Sequence, residues 1–218
     1  MLLNVGLQKY LRNINNTNFG FKYLILLFFF VILKSEATEK MALKNAFQNL
    51  ALNSRVKKVK RLKRACCISA AKSVGFVCFF EEEDQWKKIQ PSVQRLQAMG
   101  IKVMVLGIYP GKVKPLWFVE TMNTLMCSIH EFGITGIPKG QKIEDFLNEE
   151  LDILINCDMQ EQFTTNYVSM LSPAGFKVAI DTDKTRKHFD LLIKLENPQL
   201  GAFIEQTMFY LSSFKTKI

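Results

Sequence analysis

Acidic side chains follow two apolar runs of the sequence and could do chemistry together. Asp158 comes directly after LDILINC, and Asp181 and Asp183 follow FKVAI closely. Two carboxylates that converge can bind a divalent cation or act as an acid–base pair. Asp and Thr also bond to nearby backbone in turns, so DTDK at 181–184 is a good turn sequence as well. The turn interpretation is the one that the residues favour.

A cysteine and a histidine offer a second kind of chemistry. Cys157 and His130 could pair a nucleophile with its general base. Against this, Cys157 ends an apolar run in which it could simply pack, and His130 lies in a stretch typical of a loop. The interpretation of both as structural residues is therefore favoured.

Motifs for metals and cofactors are missing from the sequence. With two His, five Cys and no C-x-x-C spacing, we expect no metal site. The glycines of GITGIPKG match neither the dinucleotide fingerprint nor a P-loop, so we expect no cofactor. Cys78 and Cys127 lie inside apolar runs and the number of Cys is odd, which indicates free thiols in a reducing compartment.

Apolar runs and amphipathic stretches alternate through residues 73–218. The run at 74–80 has the continuous apolar character of a strand buried on both faces, and a helical stripe separates it from the strand-like run at 101–109. This spacing is typical of a βαβ unit with parallel strands. Further strand-like runs predict one α/β domain, an open and mostly parallel sheet of five or six strands with flanking helices, Rossmann-like or flavodoxin-like.

The residues that follow the predicted strands are candidates for a ligand site, because ligands bind beyond the carboxyl ends of parallel strands. These residues are Tyr109, His130, Asn156, Cys157, Asp158, Asp181, Thr182 and Asp183. In a parallel sheet they share one edge. A small enzyme, or a domain that binds a nucleotide or a metal, would have its site there.

Positive charge is concentrated at the start of the chain. Residues 1–72 hold 14 Lys and Arg against 2 acids, whereas the whole chain has a net charge of +9, so residues 73–218 are mildly acidic. Apolar residues at spacings of three and four predict a basic helical arm over residues 41–72, with a second helix starting at Ser54. Seven cations of this arm are candidates for contact with a polyanion: Arg55, Lys57, Lys58, Lys60, Arg61, Lys63 and Arg64.

The basic arm permits two interpretations. It could contact an anionic membrane surface or a protein partner, with nonspecific binding to nucleic acid as a weaker alternative. It could also be a solvated helix that only packs its Val/Leu stripe on the body. No aromatic residue interleaves with the cations of residues 55–64, so sequence-specific RNA binding is not indicated.

An apolar run of eleven residues, 23–33, precedes the basic arm. A spanning helix needs about 20 residues, whereas the apolar part of a signal peptide is shorter. Residues 1–40 therefore have three interpretations: a leader outside the working protein if translation starts at Met41, a short anchor, or a signal peptide. The start at Met41 is favoured. The dense cations and odd Cys indicate a cytoplasmic body, with association with the inner face of the membrane as an option.

The order of the runs resembles a bacterial family of proteins with a domain of unknown function. The similarity lies in VGFVCFF, MGIKVMVLGIY, LDILINC, NYVSMLSPAGFKVAIDTDK, FDLLIKL and FIEQTMFYL, and it covers the chain from Met41 onwards. It implies a Rossmann-like fold, a bacterial origin and a start near Met41. It implies no known reaction, so it assigns no catalytic residue.

The same stretch is more faintly similar to the N-terminal half of glycosyltransferases of the heptosyltransferase kind. Val178 and Ala179 stand where that family has Arg and Gly in a strand motif. From the residues and both resemblances, the prediction is a non-catalytic α/β module whose basic helix contacts an anionic surface or a protein partner. The alternative is a small enzyme or ligand-binding domain, glycosyltransferase-like, that uses the carboxyl edge of the sheet.

Overall fold

Six parallel strands form one open sheet in a computed structural model that describes residues 40–132 and 135–213. The apolar run at 23–33 lies outside the described residues, so the interpretations of the leader stay predictions. The chain divides after Phe47, and the second unit, Gln48–Ile218, contains the sheet.

Strands and helices follow one another along the chain as the sequence predicts. In chain order they are α1 (40–56), β1 (Ser73–Phe79), α2 (Glu83–Ala98), β2 (Lys102–Tyr109), β3 (Thr124–Ser128), α3 (Gln141–Asn148), β4 (Ile153–Asn156), α4 (Phe163–Leu171), β5 (Phe176–Ile180), β6 (Leu191–Ile193) and α5 (Leu200–Ser213). Short 3-10 helices lie at Ile68–Ala70 and Ile129–Phe132.

The strand order is β3-β2-β1-β4-β5-β6, and each neighbouring pair is parallel. This arrangement confirms the prediction of an open, parallel α/β sheet. The order reverses between β1 and β4, as in the Rossmann arrangement, and it differs from the flavodoxin-like order. Every residue of β1 is buried, because helices cover both faces of a doubly wound sheet.

Alternate residues of β1 point to opposite faces and divide the core into two layers. Phe76 belongs to the layer under α2 and α5, together with Ile89 and Phe203. Val77 belongs to the layer under α3 and α4, together with Ile143. The continuous apolar runs of the sequence therefore correspond to strands that contribute to both layers.

The predicted helical arm of residues 41–72 is α-helical only as far as residue 56, and beyond it only the short 3-10 helix Ile68–Ala70 forms. The second helix predicted from Ser54 does not form, since Ser54 lies in the last turn of α1 and residues 57–67 contain no helix. Crowded like charges disfavour a helix in this stretch. The side chain of Arg61 instead bonds to backbone carbonyls next to β5. Tertiary contacts thus override the helical periodicity of the sequence.

Lys177 is a lysine of β5 with only 2% of its surface exposed. Its Nζ donates a hydrogen bond to the backbone oxygen of Met170, near the end of α4, at 2.9 Å. Burial lowers the pKa of Lys177 to about 7; the nearby cations of Arg61 and Lys63 lower it too, and the Asp190 carboxylate acts in the opposite sense. The folded protein therefore holds this lysine largely neutral above pH 7.

We expect Lys177→Met to remove a pH dependence of the free energy of unfolding. The pKa of Lys177 is lower in the folded chain than the ~10.4 of an unfolded chain, so the unfolded chain binds more protons above pH 7. Stability should therefore rise with pH in this window, by up to about 1.4 kcal/mol per pH unit. Urea unfolding of both proteins from pH 6.5 to 8.5 measures this slope. If the difference in free energy of unfolding between the two proteins stayed constant over this pH range, it would contradict the lowered pKa of Lys177.

Candidate functional site

The carboxyl ends of β1 and β4 lie side by side where the strand order reverses, the position at which folds of this order bind ligands. Residues 81–84, all acidic, follow β1. The side chain of Gln85 accepts hydrogen bonds from the backbone N–H groups of Glu81 and Glu82 at 2.6 and 3.2 Å. A nucleotide phosphate would bind at this helix start, and the four acids repel it. The turn thus fits a helix cap better than a phosphate site.

Asp158 lies beyond β4 with 3% of its surface exposed, and both of its carboxylate oxygens have partners. One oxygen accepts the backbone N–H of Gln160 at 2.8 Å. The other accepts the N–H of Gln162 at 2.5 Å and the hydroxyl of Thr165. Burial raises the pKa of Asp158, although these donors act in the opposite direction. The geometry makes Asp158 the cap of α4.

Asn156 and Cys157 are directed into the protein rather than towards a shared site. The amide of Asn156 donates to the side-chain oxygen of Asn166 at 3.0 Å and accepts the N–H of Asp158 at 3.2 Å. Cys157 is buried in the layer under α2 and α5, next to Cys78. Burial, with the neighbouring Cys157, raises the pKa of the Cys78 thiol. Both positions therefore have structural partners.

Asp181, Thr182 and Asp183 form a local turn after β5. Arg186 donates to Asp181 at 2.7 Å and to Asp183 at 2.6 Å, and the hydroxyls of Thr182 and Thr185 lie 3.2 Å apart. The guanidinium of Arg186 lowers the pKa of Asp181. This arrangement agrees with the turn interpretation of DTDK. The carboxylates of Asp158 and Asp181 each have their own set of partners.

Glu161 is a residue at this edge that the sequence did not single out. Its backbone has a positive φ of 55°, which is uncommon outside glycine. Its carboxylate lies 3.0 Å from the Nζ of Lys184, and the Thr182 hydroxyl and Lys184 lower its pKa. Glu161 thus ties the loop after β4 to the loop after β5. Nothing in its sequence context marks it as different from other surface glutamates.

His130 and Tyr109 lie at the far side of the sheet, beyond β3 and β2. Cys157 follows β4, three strand positions from β3, which corresponds to roughly 14 Å. Sheet order thus separates Cys157 from His130, whose pairing was the less favoured interpretation of the sequence. Tyr109 packs instead against Trp117, with ring centroids 6.4 Å apart.

The described parts of the chain contain neither a grouped set of metal ligands nor a helix suited to span a membrane. Within residues 40–132 and 135–213, no three or more His, Cys, Asp or Glu side chains are grouped so that they could hold a metal ion. In the same residues, no helix combines the length and the apolar character needed to cross a membrane.

Residues 57–64, which we name the basic strap, lie against the amino ends of β4, β5 and β6. Arg61 donates to the backbone oxygens of Ala174 and Gly175 at 2.6 and 3.1 Å and pairs with the carboxylate of Asp190. The backbone N–H of Arg64 donates to Gly175 at 3.1 Å. Its guanidinium pairs with Asp152. Two of the seven cations thus fasten the strap to the sheet.

The remaining cations of the strap are exposed lysines, and one of them approaches Asp190. Lys57, Lys58 and Lys60 are exposed, and none of them makes an ion pair with another residue that the structure describes. Lys63 is exposed as well and lies 3.8 Å from Asp190. Leu62, between the two arginines, has 83% of its surface exposed. The strap therefore presents lysines and one leucine outward on a backbone fixed by arginines.

Arg55, the first of the seven candidates, precedes the strap in α1. Its guanidinium lies 5.9 Å from the ring centre of Tyr167, in a cation–π contact. It thus contributes to packing of α1 on α4.

Asp152 and Asp190 anchor the strap to the sheet, and the sequence analysis did not single them out. Asp152 also accepts the N–H groups of Lys72 and Ser73, at 2.7 and 3.1 Å. Asp190 also accepts the N–H of Lys177 at 2.8 Å. Both lie at the same place in a run of the form apolar-Asp-apolar-apolar-Ile, LDILI and FDLLI. The shared pattern was the signal that could have identified them.

We expect Asp158→Ala to lower the free energy of unfolding by about 2 kcal/mol, because it leaves buried donors without an acceptor and removes a helix cap. Asp183→Ala is the matched control, since its side chain is 95% exposed, and it should change stability little. Denaturant unfolding of both variants tests this. Equal stability of the two would mean that Asp158 is not a cap.

Arg61 and Lys60 are neighbours in the strap, and we expect Arg61→Ala and Lys60→Ala to have very different effects on the free energy of unfolding. The Arg61 side chain is 9% exposed, so its removal leaves Asp190 without its closest cation and should cost roughly 3 kcal/mol of stability. Lys60→Ala removes an outward side chain and should leave stability unchanged. Thermal and urea unfolding measure both, and a similar loss in the two variants would contradict this division.

Sequence comparison finds no match among curated proteins. A solved structure with similarity is the glycosyl transferase family 9 from Veillonella parvula DSM 2008, at 11% sequence identity and a TM-score of 0.41. The alignment covers 65% of this chain and 42% of that chain, so this chain spans less than half of the transferase. The match agrees with the faint resemblance predicted above, and its TM-score is too low to support a functional argument.

A family model, described as a family of unknown function (DUF6913), matches residues 44–214. The match extends from α1 to the end of α5 and includes the whole sheet. It confirms the family resemblance predicted from the order of the strand-like runs. The chain therefore belongs to the family of unknown function DUF6913.

Proposed function

We propose that the chain is a non-catalytic α/β module whose basic strap contacts an anionic membrane surface on the cytoplasmic side. One observation carries the proposal: the arginines of the strap bind the sheet, while Lys57, Lys58, Lys60 and Leu62 are exposed. A backbone fixed in this way presents Lys57, Lys58 and Lys60 together without a further ordering cost. The contact surface therefore contains fewer cations than the seven candidates that the sequence offers.

The exposed leucine favours lipid over nucleic acid as the partner. Leu62 can enter the apolar part of a bilayer, while the lysines on either side remain at the headgroups. A nucleic-acid backbone offers the lysines phosphate but gives an aliphatic side chain no apolar partner, and the strap has no aromatic residue for base stacking. The proposed contact is thus a shallow, interfacial one.

The strength of such a contact can be bounded. A cation near an anionic membrane contributes about 1 kcal/mol, and the interaction decays within a Debye length of about 8 Å at physiological salt. Three outward lysines and one leucine thus support reversible binding that weakens as salt is added. We infer peripheral association with the inner face of the cytoplasmic membrane, and the buried thiols of Cys66, Cys78, Cys127 and Cys157 are consistent with a reducing compartment.

The carboxyl edge supports the non-catalytic part of the proposal. Asp158 caps a helix, Asp181 and Asp183 pair with Arg186, and residues 81–84 place negative charge where a phosphate would bind. These groups have structural partners that a substrate would have to displace. The alternative of an enzyme at this edge therefore has less support.

Vesicle binding tests the proposal. We expect Lys58→Glu/Lys60→Glu to weaken binding to vesicles of phosphatidylserine and phosphatidylcholine at least ~100-fold, since reversing two charges removes attraction and adds repulsion. The matched control is Lys139→Glu/Lys194→Glu, which has the same net charge but alters exposed lysines outside the strap. Leu62→Ser should weaken binding roughly tenfold at constant charge. The measurement is flotation at low and physiological salt.

Two results would overturn the membrane contact. An equal loss of vesicle binding in the control double variant would mean that the net charge of the chain, and not the strap, governs binding to the vesicles. Binding to single-stranded RNA that is insensitive to Leu62→Ser, without binding to vesicles, would identify nucleic acid as the partner.

A further inference from the structure

His188 lies beside the basic strap, in the loop that carries one of the two carboxylates that anchor the strap. It is half-buried, and its backbone N–H donates to the oxygen of Thr185 at 3.0 Å. Asp190, two residues further on, pairs with Arg61 of the strap and lies 3.8 Å from the Nζ of Lys63. The loop that anchors the strap thus also places an imidazole next to it.

The charged groups that act on this imidazole are cations from three different parts of the fold. Lys177 belongs to β5, Lys187 to the same loop as His188, and Lys63 to the strap. Burial lowers the pKa of His188, and the electrostatic effect of these three lysines lowers it further. The imidazole is therefore largely neutral at pH 7 in the free protein.

The nearby carboxylate of Asp190 is already occupied and does not balance these cations. Its Oδ1 accepts a hydrogen bond from Arg61 at 3.3 Å, and its Oδ2 accepts from Arg61 and from the backbone N–H of Lys177 at 2.8 Å. The cationic groups of Arg61, Lys63 and Lys177 all act on this one carboxylate. The local ion pairs therefore leave positive charge in excess beside His188.

An anionic membrane would supply the negative charge that this neighbourhood lacks. Lys63 is part of the strap, so headgroups that approach the strap also approach His188. Nearby negative charge favours the protonated form of an imidazole and raises its pKa. A group whose pKa is higher in the bound state takes up protons on binding, so its contribution to affinity grows as the pH falls.

We propose that His188 makes the membrane contact of the basic strap dependent on pH, because it is neutral in the free protein and charged at the membrane. This inference rests on the proposed membrane contact and adds a regulatory group to it. Affinity is lowest where His188 is neutral in both states, and it rises on acidification until His188 is charged in both. One further cation near the surface corresponds to a roughly fivefold gain in affinity.

Lys177 also titrates near neutral pH, and its charge opposes that of His188. With a pKa of about 7, this lysine becomes charged on acidification as well. Its ammonium is buried against the backbone oxygen of Met170 and disfavours a charged imidazole nearby. In Lys177→Met this opposition is absent, so the gain in membrane affinity should begin at a higher pH than in the unaltered chain.

Vesicle flotation between pH 7.5 and pH 5.5 tests the role of His188. The vesicles contain phosphatidylglycerol and phosphatidylcholine, because the phosphodiester of phosphatidylglycerol keeps its charge over this range. We expect the affinity of the full chain to rise roughly fivefold on acidification, and His188→Gln to abolish this rise. The matched control is His130→Gln, which removes the other of the two histidines of the chain, beyond β3, and should retain the rise.

Calorimetry of the same binding reaction, in two buffers of different ionisation enthalpy, counts the protons taken up. Near pH 6.5 we expect net proton uptake when the full chain binds the vesicles, and much less when His188→Gln binds them. Unfolding curves at both ends of the pH range confirm that the variants are folded. Equal proton uptake by His188→Gln and the full chain would contradict the proposal.

Three results of the flotation experiment would overturn the role of His188. One is a rise in affinity that persists in His188→Gln but is lost in Lys177→Met, which would assign the effect to the lysine. Another is a rise that is lost equally in His130→Gln, which would mean that total charge governs it. The third is an affinity that does not change with pH.

Failure of this inference can be distinguished from failure of the membrane contact itself. Binding that is constant over the pH range but lost in Lys58→Glu/Lys60→Glu would retain the strap as the contact and exclude His188 from it. Absence of binding at every pH would overturn both proposals.

Discussion

The amino edge of the sheet depends on two carboxylates, the buried Asp152 and Asp190, whose side chain is 15% exposed. At the amino end of a parallel strand, the first backbone N–H groups lie beyond the ladder and need another acceptor. Asp152 accepts such groups from Lys72 and Ser73, and Asp190 accepts the one from Lys177. A carboxylate in this position needs a cation in turn, since an unpaired buried charge is costly.

Arginines of the basic strap supply those cations. Arg64 pairs with Asp152 and Arg61 with Asp190, and Arg61 also binds two carbonyl oxygens next to β5. Guanidinium suits this role because its several donors can bind carboxylate and carbonyl oxygens together. Lys57, Lys58 and Lys60, which precede the arginines, make no ion pair with the residues that the structure describes, whereas Lys63 lies 3.8 Å from Asp190. The requirement of the sheet for arginine thus determines which strap cations are free to bind something else.

Much of the fold could be predicted from the sequence because strands buried on both faces leave continuous apolar runs. VGFVCFF and LDILIN are of this kind, and the acids before the stripe of α2 mark a helix start. Strand order could not be predicted, since it depends on how helices pack on either face. For the same reason, the sequence placed Cys157 and His130 on one edge but could not show that β1 and β2 lie between them.

The basic strap was harder to predict, because its cations differ in their surroundings in the fold and not in residue type. Seven cations of residues 55–64 look alike in sequence, and only the folded positions of Asp152 and Asp190 distinguish Arg61 and Arg64 from the lysines. Residues 110–123, which connect β2 to β3, present a similar difficulty. Without a helical or alternating period, nothing in PLWFVETM shows that Trp117 and Phe118 turn towards Phe80 while Leu116 and Val119 remain exposed.

Distance along the strands allows the two edges of the sheet to carry opposite charge. The acids of residues 81–84 follow the carboxyl end of β1, whereas the basic strap lies at the amino ends of neighbouring strands. β1 has seven residues and so spans roughly 23 Å, which is nearly three Debye lengths at physiological salt. The acids therefore neither neutralise the strap nor weaken its attraction to an anionic surface. Local charge at each edge, and not the net charge of the chain, governs what that edge can bind.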